Sequence, residues 1–75
     1  MSTHKVGAYT LSGAAYDVFH KLYFYGPQRD GDLPSKAGFY ELVELELAQT
    51  DDSLGDSHNQ LVDAGMVLGR TIFGA

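Results

Sequence analysis

The stretch Asp30-Gly31-Asp32-Leu33-Pro34-Ser35-Lys36-Ala37-Gly38-Phe39-Tyr40-Glu41-Leu42-Val43-Glu44-Leu45-Glu46-Leu47 decides how this chain is read, because a turn, a helix start and a change of period follow one another within it. Asp30-Gly31-Asp32 and Pro34 supply turn chemistry: glycine for positive φ, aspartate for side-chain turns, proline for a fixed φ. Ser35 is placed to cap a helix, its hydroxyl accepting from an otherwise unpaired amide of the first turn. Beyond it Phe39, Leu42, Val43 and Leu47 share a helical face, with Glu41 and Glu44 outside. A strand competes for the end of the stretch, since Val43-Glu44-Leu45-Glu46-Leu47 alternates strictly. The spacing favours helix through about Leu45 with extended chain afterwards, and leaves residues 43–49 open between helix and strand.

Upstream, Ala15, Val18, Phe19, Leu22 and Tyr25 recur at three- and four-residue steps, which predicts a helix. Ser12 is its candidate cap, and Gly26-Pro27 its stop. Tyr16, Tyr23 and Phe24 flank the core stripe, so that with Phe19 they form a candidate hydrophobic interface, able to bury area against a second copy of the chain. Residues 1–10 carry no period and read as a flexible arm, with at most a short strand around Val6. Downstream, Gln49 to Asn59 is a loop or hairpin tip by composition. Asp63 then caps a last helix through Ala64, Val67, Leu68, Thr71 and Ile72, ending near Phe73-Gly74. Gly65 and Gly69 lie four apart on it, a spacing that suits close packing against a neighbouring element.

The order of these elements, with Asp30 to Gly38 running into Glu41-Leu42-Val43-Glu44 and then Leu61-Val62-Asp63-Ala64-Gly65, resembles small phage and prophage proteins with a reduced winged-helix pattern. The resemblance spans roughly residues 12–73. It implies a mainly α domain, with α+β as the variant: about three helices and a short two-stranded hairpin, the wing. Two positions depart from the pattern. Val62 stands where a threonine usually caps the last helix, and Glu46 where a glycine usually ends the recognition helix.

With 75 residues and 8.2 kDa, the chain has room for one small domain, 1–75. Cysteine is absent, so no disulfide or thiolate site supports it. No apolar run approaches the roughly 18 residues of a membrane span, and residues 1–10 lack a signal-peptide core. A soluble protein of the cytoplasm of a bacterial host, with no membrane partner, is the expectation. The formal net charge of −5 is unevenly spread. Between Asp30 and Asp63 nine acids face one base, Lys36, which gives −8, while the remainder of the chain carries +3.

A winged helix that binds DNA needs cations on its recognition helix and wing, because neutralising phosphates supplies most of the affinity. This segment carries the opposite sign, which argues against direct binding of nucleic acid. Carboxylates spaced along a helix and loop suit a basic groove built for nucleic acid. In size and charge the chain is similar to phage-encoded acidic inhibitors of the anti-CRISPR type. The expectation is therefore a non-catalytic DNA mimic that contacts a host nucleic-acid-binding protein through Asp30, Asp32, Glu41, Glu44, Glu46, Asp51, Asp52 and Asp56. The alternative is a reduced winged-helix regulator that binds DNA as a dimer, aided by Lys36, Arg29 and Lys5. His4, His20 and His58 have no ligand spacing, and a calcium loop begun at Asp51 would place Val62 where its bidentate glutamate belongs. No phosphate-binding or catalytic motif occurs, so neither an enzyme nor a metal or cofactor is expected.

Overall fold

Residues 3–10 do not form the expected arm. A computed structural model, which describes residues 3–52 and 57–74, pairs strand β1 (Thr3–Val6) with β2 (Tyr9–Ser12) as an antiparallel hairpin. The turn is two residues, Gly7-Ala8, and Gly7 takes φ 62°, as a turn with its first central residue at positive φ requires. Val6 and Leu11 are fully buried, so two apolar residues in strands too short to display alternation hold this hairpin on the domain.

Helix α1 (Gly13–Tyr25) follows directly. Ser12 caps it through a 3.1 Å bond accepted from the Ala15 amide, and Gly26 closes it with its amide on the Leu22 carbonyl. Ala15, Val18, Phe19 and Leu22 are buried as the period predicts. Tyr25 is not: it is 69% exposed, on the last residue of the helix, and Lys21 Nζ lies 4.8 Å from its ring centre. A 3-10 turn (Asp30–Asp32) then leads to helix α2 (Lys36–Glu44), where the Ser35 hydroxyl accepts from the Gly38 amide.

The rival readings of residues 43–49 resolve into both forms in succession: helix to Glu44, then strand β3 from Ala48 to Asp51. Between them Leu47 N–H donates to Leu42 carbonyl and Glu46 N–H to Val43 carbonyl, the paired bonds of a Schellman closure. Glu46 sits at its left-handed position with φ 60°, where the resembled family places glycine. β3 pairs antiparallel with β4 (His58–Leu61), and Gln28 adds a one-residue third strand beside β4 by exchanging two backbone bonds with Asn59.

Helix α3 (Asp63–Phe73) is the last element: the described residues form three α-helices and two hairpins, a small α+β domain. Val62, not Asp63, occupies its cap position and makes no side-chain cap bond; Asp63 lies in the first turn, where its charge suits the helix dipole. The buried residues of α3 are Gly65 and Gly69, while Ala64, Val67 and Thr71 face out and Ile72 is 38% exposed. The inward face is thus turned by about one residue from the expected stripe, because glycine scores as neither polar nor apolar yet permits the closest approach. A Cβ on Gly65 would strike the Leu47 carbonyl oxygen, and one on Gly69 the Tyr23 ring.

The same effect turns α2. Gly38 lies against the Ala14 carbonyl, Phe39 and Leu42 are buried, and Val43, expected inside, is 40% exposed. Leu47, Ala48 and Leu61 bring the second hairpin into the same core as Val6, Leu11 and the α1 stripe. Among the described residues no helix is long and apolar enough to cross a membrane.

Candidate functional site

Asn59 organises the acidic surface. It is 1% exposed, and both ends of its amide are used: its oxygen accepts from Thr50 at 2.8 Å and its nitrogen donates to Asp30 Oδ1 at 2.6 Å. A buried amide with a missing partner would cost about 1–3 kcal/mol, so the 3-10 turn and the β3–β4 hairpin are tied together at this point. As a result Asp30 and Asp52, distant in sequence, line one cavity of about 170 Å³ together with Lys36, Tyr40 and Thr50. Ser57 reinforces the rim, its hydroxyl donating to Asp52 Oδ1 at 2.6 Å. A cavity of this size admits the end of a side chain rather than a drug-sized ligand, which needs about 300 Å³ or more.

Of the predicted contact acids among the described residues, Asp30 and Asp52 line this cavity and the others do not. Asp32 is exposed beside Asp30 on the turn, and Asp51 is half-buried in β3. Glu44 and Glu46 are exposed at the far end of α2, about 12 Å along the helix from Lys36 by its rise per residue. Asp56 lies outside the described residues. Glu41 is half-buried and committed inside the domain: its two carboxylate oxygens accept from the Ser12 amide at 2.9 Å and the Ser12 hydroxyl at 2.8 Å. Its charge therefore sits at the start of α1, where an anion suits the helix dipole, and it fastens α2 to α1. Periodicity placed Glu41 outside because it located the apolar stripe without Gly38.

The outward face of α2 carries Ala37, Tyr40, Val43 and Glu44, with Tyr40 62% exposed. The sequence singled out no role for Tyr40 and placed Val43 on the inner face, and the turn of the helix toward Gly38 exposes both. They give the acidic surface an apolar centre, with Asp30, Asp32 and Asp52 at one end and Glu44 at the other.

The aromatic set on α1 is used within the chain. Phe19 is fully buried in the core, and Tyr16 and Tyr23 are half-buried. Phe73 from α3 packs among them, with ring centres 6.1 Å from Tyr16, 5.6 Å from Phe19, 5.3 Å from Tyr23 and 5.0 Å from Phe24. The candidate interface is therefore an intramolecular seam between α1 and α3, and Phe24, 46% exposed, is the member left most open. The histidines are separated: His4 stacks on Tyr16 at 4.3 Å, His20 lies against Phe24 and Phe73, and His58 is on β4. No group of three or more His, Cys, Asp or Glu side chains among the described residues is placed to hold a metal ion. Comparison of the chain with protein-family models, curated proteins and solved structures finds no match.

Proposed function

We propose that this chain is a non-catalytic binding domain of phage or mobile-element type, acting in the host cytoplasm. It has a reduced winged-helix arrangement and uses the α2 and β3–β4 surface to occupy a basic, nucleic-acid-binding groove of a host protein, as an inhibitor of the anti-CRISPR type. Support for the winged-helix part comes from element order: α1, the turn, α2, the β3–β4 hairpin with Gln28 bridged to it as a one-residue third strand, then α3. The observation that carries the functional part is the meeting of Asp30 and Asp52 at one cavity beside the exposed Tyr40. Residues 30–63 hold Lys36 as their sole base, so the face a winged helix would turn to DNA repels phosphate and attracts cations.

The element order also favours a second reading, a DNA-binding regulator with the same topology. Mobility-shift titration of the purified chain against a short duplex DNA at low salt separates the two. No shift is expected, and a clear shift at micromolar protein overturns the mimic. The positive arm uses the tagged chain as bait in bacterial lysate, with captured proteins identified by mass spectrometry. The expected partner binds nucleic acid, and added duplex DNA displaces it. The triple variant Asp32→Lys, Glu44→Lys, Asp52→Lys should lose that partner while keeping the wild-type circular dichroism; unchanged capture overturns the assignment of the face. Glu41 is left intact because its carboxylate holds Ser12.

A further inference from the structure

Helix α3 has two unlike faces. Gly65, Leu68, Gly69 and Phe73 turn toward the body of the domain, whereas Asp63, Met66, Val67 and Arg70 are all exposed, Val67 by 60% and Met66 by 40%. At the α-helical turn per residue these four fall within about 100° of one another, forming a stripe with an apolar pair at its middle and opposite charges at its ends. Such a stripe is its own complement. Turned end for end about the point between Met66 and Val67, a second copy sets Met66 against Val67 and Asp63 against Arg70, each twice by symmetry. A parallel pairing would instead oppose Asp63 to Asp63 and Arg70 to Arg70, so charge selects the antiparallel one.

We propose that the outer stripe of α3 is a self-association surface, and that its occupant is α3 of a second copy of this chain in a two-fold, antiparallel arrangement. This rests on charge complementarity along one helix and is independent of the acidic α2 surface. The candidate α1 interface plays no part in it: Phe73 packs among those rings from the inward face of α3, outside the stripe. One helix of 11 residues is about 16 Å long and supplies much less than the roughly 1,200 Å² of a stable interface, so the dimer is weak and concentration-dependent.

Sedimentation velocity at low salt, from about 10 μM to about 1 mM, should show a reversible monomer–dimer equilibrium in this weak-interface regime. Asp63→Arg and Arg70→Asp should each weaken self-association by about tenfold or more, because each makes both charged contacts repulsive. An equimolar mixture of the two variants should recover the wild-type affinity, since every contact between the unlike copies again joins opposite charges. Val67→Lys should abolish association without altering either charged residue. Circular dichroism of each variant checks that α3 is retained. A wild-type monomer over the whole range, single variants that associate like wild type, or a mixture no better than its components would each overturn the proposal.

Discussion

Helices α2 and α3 are both short, both follow a turn and both press glycine against a neighbour, yet they are held by different means. α2 has Ser35 on its first turn, a Schellman closure at its end, Phe39 and Leu42 in the core and Glu41 bonded to Ser12. α3 begins at Val62 without a side-chain cap, contributes only glycines to the fully buried set and relies on Phe73 among the α1 rings. Side-chain and backbone hydrogen bonds fix α2 at both ends, while α3 has backbone bonds alone at its ends, from the Val62 amide to the Leu47 carbonyl and from the Gly74 amide to the Arg70 carbonyl, and its inner stripe is seated by shape. The acidic surface is therefore carried on the more firmly tethered helix, which suits the proposed docking of that face in one geometry. The more weakly tethered helix leaves its outer side free.

The largest effect expected to break this contrast is Gly38→Ala. Its Cβ would meet backbone atoms of Ala14 and Ala15, which cannot move without separating α1 from α2, so a loss of about 3 kcal/mol is expected in denaturant unfolding. Phe73→Ala should follow at about 2 kcal/mol, below the ~3–5 kcal/mol of a fully buried phenylalanine because Phe73 is half-buried. Its distinguishing mark is local: amide exchange should quicken in α3 and leave α2 protected.

Two smaller changes sharpen the comparison by repairing each helix at its weak end. Glu46→Gly should stabilise by about 1 kcal/mol, because a side chain at φ 60° is strained and its charge opposes the dipole at the end of α2. For a chain of this size that corresponds to a melting point higher by roughly 4–8 °C. Val62→Thr places a hydroxyl where the extended backbone, φ −81° and ψ 176°, suits a cap, and should add about 0.5 kcal/mol confined to the first turn of α3. An unchanged melting point for Val62→Thr would mean that the hydroxyl does not reach the first-turn amides.

Much of the local structure was legible in the residues themselves. Ser12, Ser35 and Gly26 mark helix ends through their own hydrogen-bonding and φ preferences, and the α1 stripe from Ala15 to Leu22 is long enough for the period to be read. The β1–β2 hairpin was missed because four-residue strands with one deeply buried residue each show no alternation. At the candidate site, the acidic bias was plain from the sequence, but its assembly was not. Asp30 and Asp52 meet through Asn59, a residue whose composition assigns it to a loop and whose burial no local pattern reveals.

What the sequence by itself determined is where α1 begins and ends, where α2 begins and that residues 30–63 are acidic, because caps, turns and charge are properties of residues and their near neighbours. Only the tertiary structure decided which side of α2 and α3 faces inward. Hydrophobic periodicity counts side chains, whereas Gly38, Gly65 and Gly69 bury their faces by having none, bringing helix backbone against the Ala14 carbonyl, the Leu47 carbonyl and the Tyr23 ring. That close approach draws Glu41 into the domain and leaves Tyr40, Val43, Met66 and Val67 at the surface, where partners can reach them.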